Sequence, residues 1–176
     1  MRPGRFVLHG LTLSILLGLS GCGIPRWSDR VRAADYVLPR RIPIYVVVTE
    51  QVAKEDRHGA VLALATTLES ELLDHGYDTQ VVAATDDAPP VPRIELQVIN
   101  VTPGNRALNN HFMRTASLGT AAVSLAGHGG VVVRCFVVTS ADGPPVFSGQ
   151  VSDGAGEDAI GPAEDVAGSI ADALLE

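Results

Sequence analysis

Residues 131–140 read Val-Val-Val-Arg-Cys-Phe-Val-Val-Thr-Ser, followed by Asp142-Gly143 and a second apolar run from Val146 to Val151. The first run is rich in β-branched side chains and apolar on both faces, as expected of a central strand. Asp-Gly is a favoured hairpin dipeptide, so the second run returns antiparallel beside the first. Working outward, Ile94, Leu96 and Val98 alternate with Glu95 and Gln97, a strand with one wet face. Ile42 to Thr49 is a further central strand, and Tyr77 to Ala83 a short one. Helical spacing places Val61, Leu64, Ala65, Leu68 and Leu72 on one face, and Gly76 stands where a C-terminal cap belongs. These predict a helix near 54–75. A final helix opens at Pro162 and buries Val166, Ile170 and Leu174, with Glu164 and Asp165 in its first turn. The residues between, Ser152 to Gly161, read as a loop. The pattern predicts an α+β domain: one mostly antiparallel or mixed sheet of four to five strands, with two helices packed on one face.

The amino terminus carries an address. Arg2 and Arg5 precede the apolar stretch Leu11–Leu19, which is followed by Ser20, Gly21 and Cys22. This is the three-part plan of an export signal, and its apolar region is shorter than the roughly 20 residues a membrane span needs. Leu19-Ser20-Gly21-Cys22 resembles the lipobox of bacterial lipoproteins. That resemblance implies cleavage after Gly21 and a lipid on the sulfur of Cys22, with Gly23 favouring transfer to the outer membrane. The competing reading is an ordinary cleaved signal with an incidental cysteine. The expected organisation is a signal peptide over 1–21, a basic tether over 22–41 and a single domain over 42–176.

Charge supports that division. Residues 22–41 carry five arginines against Asp29 and Asp35, a net of +3, whereas 42–176 carry six Lys or Arg against eighteen Asp or Glu, a net of −12. A basic segment beside a lipid anchor suits either an anionic headgroup surface or a solvated tether. The acidic body argues against nucleic acid, whose phosphates it would repel. Only two cysteines exist, so with Cys22 lipidated no disulfide can form within the chain. Cys135 is then expected to be a small buried hydrophobe.

The order of elements resembles that of small α+β envelope lipoproteins, including uncharacterised families sharing a Gly-Asn-Arg element like Gly104-Asn105-Arg106. It is loosely similar to the lipopolysaccharide-assembly lipoproteins, which imply no catalytic residue to transfer. The residues themselves supply no G-x-S-x-G, P-loop, metal-spaced His pair or Cys pair, so no enzyme activity, metal or cofactor is expected. Asp153, Glu157 and Asp158, interleaved with glycine, suit a solvated turn better than a calcium loop. The segment Pro103 to Gly130 is long for a connection within a compact domain, and such loops are often functional. It gathers Arg106, Phe112, Met113 and Arg114, a mixture of apolar anchors and forked donors suited to partner binding. In the alternative, Phe112 and Met113 fold back over a sheet edge. The expected function is a periplasm-facing accessory or protein-interaction module, held by lipid on Cys22 and serving an envelope protein partner. A lipid- or glycolipid-handling module is the alternative, which a cluster of Arg93, Arg106, Arg114 and Arg134 would favour.

Overall fold

The computed structural model describes residues 24–49, 57–83, 90–102, 104, 129–156 and 158–176. In chain order the elements are β1 (Arg26–Arg32), β2 (Ile44–Val48), α1 (Arg57–Asp74), β3 (Val81–Ala83), β4 (Arg93–Thr102), β5 (Gly129–Val138), β6 (Phe147–Gly156) and α2 (Ile160–Leu175). The strands form one mixed sheet in the order β1-β6-β5-β4-β2-β3. Strands β3, β2 and β4 run parallel, and β4, β5, β6 and β1 antiparallel.

Both helices pack on one face. Leu64, Leu68 and Leu72 of α1, with Val166, Ile170 and Leu174 of α2, bury their side chains against Ile94, Leu96, Val98, Val133, Cys135 and Val137. Burying each such aliphatic side chain is worth about 1.5–3 kcal/mol, and this layer is the core. The alternation of β4 does not run unbroken. Val98 pairs with Val133 and Asn100 with Val132, leaving Ile99 as the extra residue of a bulge. The bulge turns Val101 back toward the helices, where it is buried. At the end of α1, Gly76 takes φ +80° and donates to the Leu73 carbonyl at 2.9 Å, the left-handed cap its sequence position suggests.

Three expectations are corrected. The sheet has six strands among the described residues rather than four or five. What looked like a loop from Ser152 is strand as far as Gly156, and α2 begins at Ile160, whose N–H donates to Asp158 Oδ1 at 2.9 Å. From Arg26 on, the segment expected to be a tether is part of the folded domain. Residues 26–32 form β1, which pairs with β6, and Tyr36 and Leu38 lie in the core.

One side chain accounts for that strand. The Trp27 ring meets Phe147 edge-on at 6.0 Å, and its Nε1–H donates to Ser169 Oγ of α2 at 2.8 Å. It lies over Gly149, where a Cβ would sit 2.7 Å from Cζ3 of the ring, so only glycine leaves room for the indole. Opposite Gly149, β1 bulges through Asp29 at φ +55°, a left-handed conformation that aspartate tolerates better than most residues. The Arg30 guanidinium lies 5.9 Å from the centre of the Trp27 ring and 3.2 Å from the Glu176 carboxylate, tying the strand to the end of α2.

Candidate functional site: the open face of the sheet

Because alternate residues of every strand serve the core, the others line the face opposite the helices. On β4 and β5 these are Arg93, Glu95 and Gln97 with Val132, Arg134, Phe136 and Val138; on β6 they are Ser148, Gln150 and Ser152. Most are half-buried, and the face carries a polar lattice. Arg93 Nε donates to Glu95 Oε2 at 3.4 Å, and Gln97 Nε2 donates to Glu95 Oε1 at 2.9 Å. Arg134 Nε donates to Gln150 Oε1 at 3.2 Å across the β5–β6 pair. Side chains held by these hydrogen bonds make a preorganised surface, so a partner would order few rotamers on binding.

A cleft of about 290 Å³ opens at the β2–β3 end of this face. Pro43, Tyr45 and Val82 supply apolar wall, and Arg41 and Asp78 meet at its rim with Nε and Oδ2 3.3 Å apart. Tyr45 projects to this side yet is only 6 % exposed, so its ring is wall rather than platform. Thr79, also lining the cleft, spends its hydroxyl on the Ile42 carbonyl at 2.7 Å. Both rim charges are largely solvated, and such a pair contributes little to stability.

The arginines singled out in the sequence are partly brought together. Arg93 and Arg134 share the open face, but Arg134 pairs with Gln97, four residues along β4 from Arg93, a separation of about 13 Å along the strand. Arg106, Phe112, Met113 and Arg114 lie outside the described residues, as does Cys22. Among the described residues no group of three His, Cys, Asp or Glu side chains is placed to hold a metal. Cys135 is buried in the core, and burial pushes its thiol far above the ordinary range, away from the reactive thiolate.

Sequence reasoning missed a carboxyl pair at the joint of β6 and α2. Asp153 Oδ1 accepts from the Gly154 N–H at 2.8 Å, while its Oδ2 is buried without a hydrogen-bond donor. Asp165 of α2 faces it. Burial first, then the neighbouring Asp153 and Glu164 charges and a hydrogen bond to Asp153, raise the Asp165 carboxyl above the usual carboxylate range. Asp153 lies on a strand and Asp165 on a helix, so their encounter has no spacing signature.

The chain matches no protein-family model and no curated protein. It aligns weakly with solved structures. Two crystal forms of a PelC dodecamer from Paraburkholderia phytofirmans, one of them a point variant, each align over 87% of this chain and 94% of theirs. The identity is 18% and the TM-score 0.41 in both cases.

Proposed function

We propose that this chain is a non-enzymatic, lipid-anchored accessory protein of the bacterial envelope, facing the periplasm and presenting the open face of its sheet to a protein partner. The observation that carries the reading is the asymmetry of the two sheet faces. One is sealed by both helices, whereas the other holds a fixed lattice around Glu95 and a cleft beside Tyr45. The lipobox-like Leu19–Cys22 supports the anchor. An anchor supplies proximity, raising the effective concentration at a membrane-bound partner without any added contact.

The experiment has two arms. Metabolic labelling with a fatty acid is expected to mark the wild-type chain and to vanish in Cys22→Ser; lipidation that persists in that variant would overturn the anchor. In the second arm, capture of partners from envelope membranes is compared between Val47→Glu, on the open face, and Leu62→Glu, exposed on α1. Loss of the captured species in Val47→Glu alone supports the face as the partner surface. Equal capture by both variants would overturn it.

Arg93 and Arg134 on one face favour a second reading, recognition of a phosphate-bearing lipid or glycolipid. Arg93 is already held by Glu95, which weakens this reading relative to the first.

A further inference from the structure

The open face divides by charge. Among the described residues, the charged side chains on its β1–β6–β5 half are Arg26 and Arg134, with serines, Gln150 and the apolar Val31 and Phe136 between them. Glu95 belongs to the other half and is engaged by Arg93 and Gln97. Asp29 lies at the bulge on the edge itself, and Asp153, whose register places it with the core-facing residues, points to α2. In a body of net charge −12 over residues 42–176, this half-face is basic while the helix layer carries Glu164, Asp165, Asp172 and Glu176.

Chain geometry adds the second observation. Cys22 precedes Arg26 by four residues, so its sulfur-bearing backbone lies at most about 14 Å from the start of β1. A tether of twenty residues would have permitted about 70 Å. Ile24, between the two, is 74 % exposed, and Val31 at the far end of the strand is 64 % exposed. In register, Ser28 pairs with Gln150 and Gln150 with Arg134, which places Arg134 two strand spacings, about 10 Å, from the edge.

We infer that the β1–β6–β5 half of the open face seats on an anionic lipid headgroup layer, with Arg26 and Arg134 on the headgroups and Ile24 and Val31 at the apolar boundary. The inference rests on the anchoring reading at Cys22 and deepens it. With so short a lead, the anchor holds this corner of the sheet at the surface, and charge selects which side turns down. The open side meets the anionic surface favourably, whereas the acidic helix layer is repelled. The cleft at Arg41 and Tyr45 lies at the far margin of the same face, across five strand spacings and up to about 24 Å from the β1 edge, outside the half that is seated.

The test uses the lipidated mature chain reconstituted into vesicles of phosphatidylglycerol and phosphatidylcholine in equal parts. Trp27 is the only tryptophan and lies on β1, so its fluorescence reports the seat without labelling. Lipids spin-labelled at the headgroup are expected to quench it. Quenching should fall about twofold in salt that shortens the Debye length to about 3 Å. It should fall similarly in Arg26→Glu/Arg134→Glu, and stay unchanged in Leu62→Glu. Equal quenching of the charge-reversed and wild-type chains would overturn the seat, as would its absence from a chain proven lipidated. A cross-linked dimer through β1 with unquenched Trp27 would assign the edge to a second copy and overturn it too. Failure of fatty-acid labelling at Cys22 is read separately and would remove the anchor itself.

Discussion

At one margin of the sheet lies β3, three residues long and parallel to its neighbour; at the other lies β1, seven residues long, antiparallel and bulged. A free edge invites pairing with another chain, and proteins usually blunt it. The β3 edge is short, and Glu69 of α1 reaches over to accept the Val81 N–H at 3.0 Å, standing where the carbonyl of a further strand would lie. The β1 edge is long and is protected differently, by the Asp29 bulge and by Arg26, Arg30 and Arg32. Its attachment depends on Trp27 rather than on a continuous apolar face. The difference teaches that the two margins carry different loads: β3 is closed off locally, while β1 is pinned from inside and leaves its outer side available.

The largest effect is expected where β1 is pinned. Trp27→Ala removes the edge contact with Phe147 and the bond to Ser169, and should cost about 3 kcal/mol, the lower end for a large aromatic deletion. Gly149→Ala drives a methyl into the indole ring and should be destabilising on its own, by about 1–3 kcal/mol. If the ring is what Gly149 accommodates, the double variant will be markedly less unstable than the sum of the two. Urea melts of all four proteins give the coupling directly. Strict additivity would mean that β1 is held by its backbone pairing with β6 alone, and the contrast between the two edges would collapse.

The same strand shows where sequence reading stops. Residues 131–138 and the α2 stripe at Val166, Ile170 and Leu174 were legible because each declares its burial through its own periodicity. Arg-Trp-Ser-Asp-Arg-Val-Arg declares nothing of the kind. One inward residue among four charges reads as a soluble stem, and the partners that make it a strand, Gly149 and Ser169, lie more than a hundred positions away. The candidate site was legible to a similar degree. Alternation of Glu95 and Gln97 announced a wet face, but not that Arg134 and Gln150 extend it or that a cleft closes its far end. The Asp153–Asp165 encounter was invisible for the same physical reason as β1, since tertiary structure alone brings the two together.

That carboxyl pair gives a smaller effect on the β1 side of the molecule, where α2 meets β6. The raised Asp165 carboxyl binds its proton more tightly in the folded chain than in the unfolded one. Its stabilising contribution is therefore full below the ordinary aspartate range and is lost as pH rises through the folded value. Asp165→Asn offers a permanent N–H donor to the buried Asp153 Oδ2. It should raise the melting temperature at neutral pH by a few degrees or less and flatten the decline between acid and neutral conditions. Thermal melts across that range check it. A variant that melts lower at neutral pH, with the wild-type slope intact, would show that the Asp165 carboxyl is not raised in the folded chain.

The smallest effect belongs to the β3 edge, and its size is the point. Glu69 is a surface side chain capping one exposed amide, so Glu69→Ala should cost no more than about 1 kcal/mol, because water replaces the lost acceptor. Glu69→Gln keeps a carbonyl oxygen at the same position and should cost less still. Stability is thus the weaker readout, and exchange of the Val81 amide the sharper one. It should quicken in Glu69→Ala and remain near wild type in Glu69→Gln. If glutamine fails to protect the amide, the carboxylate acts through its charge rather than as a stand-in strand. If neither variant changes exchange, three residues are short enough to protect this margin unaided. In both variants the amides of β1 should exchange as in wild type, since β3 and β1 lie at opposite margins of the sheet.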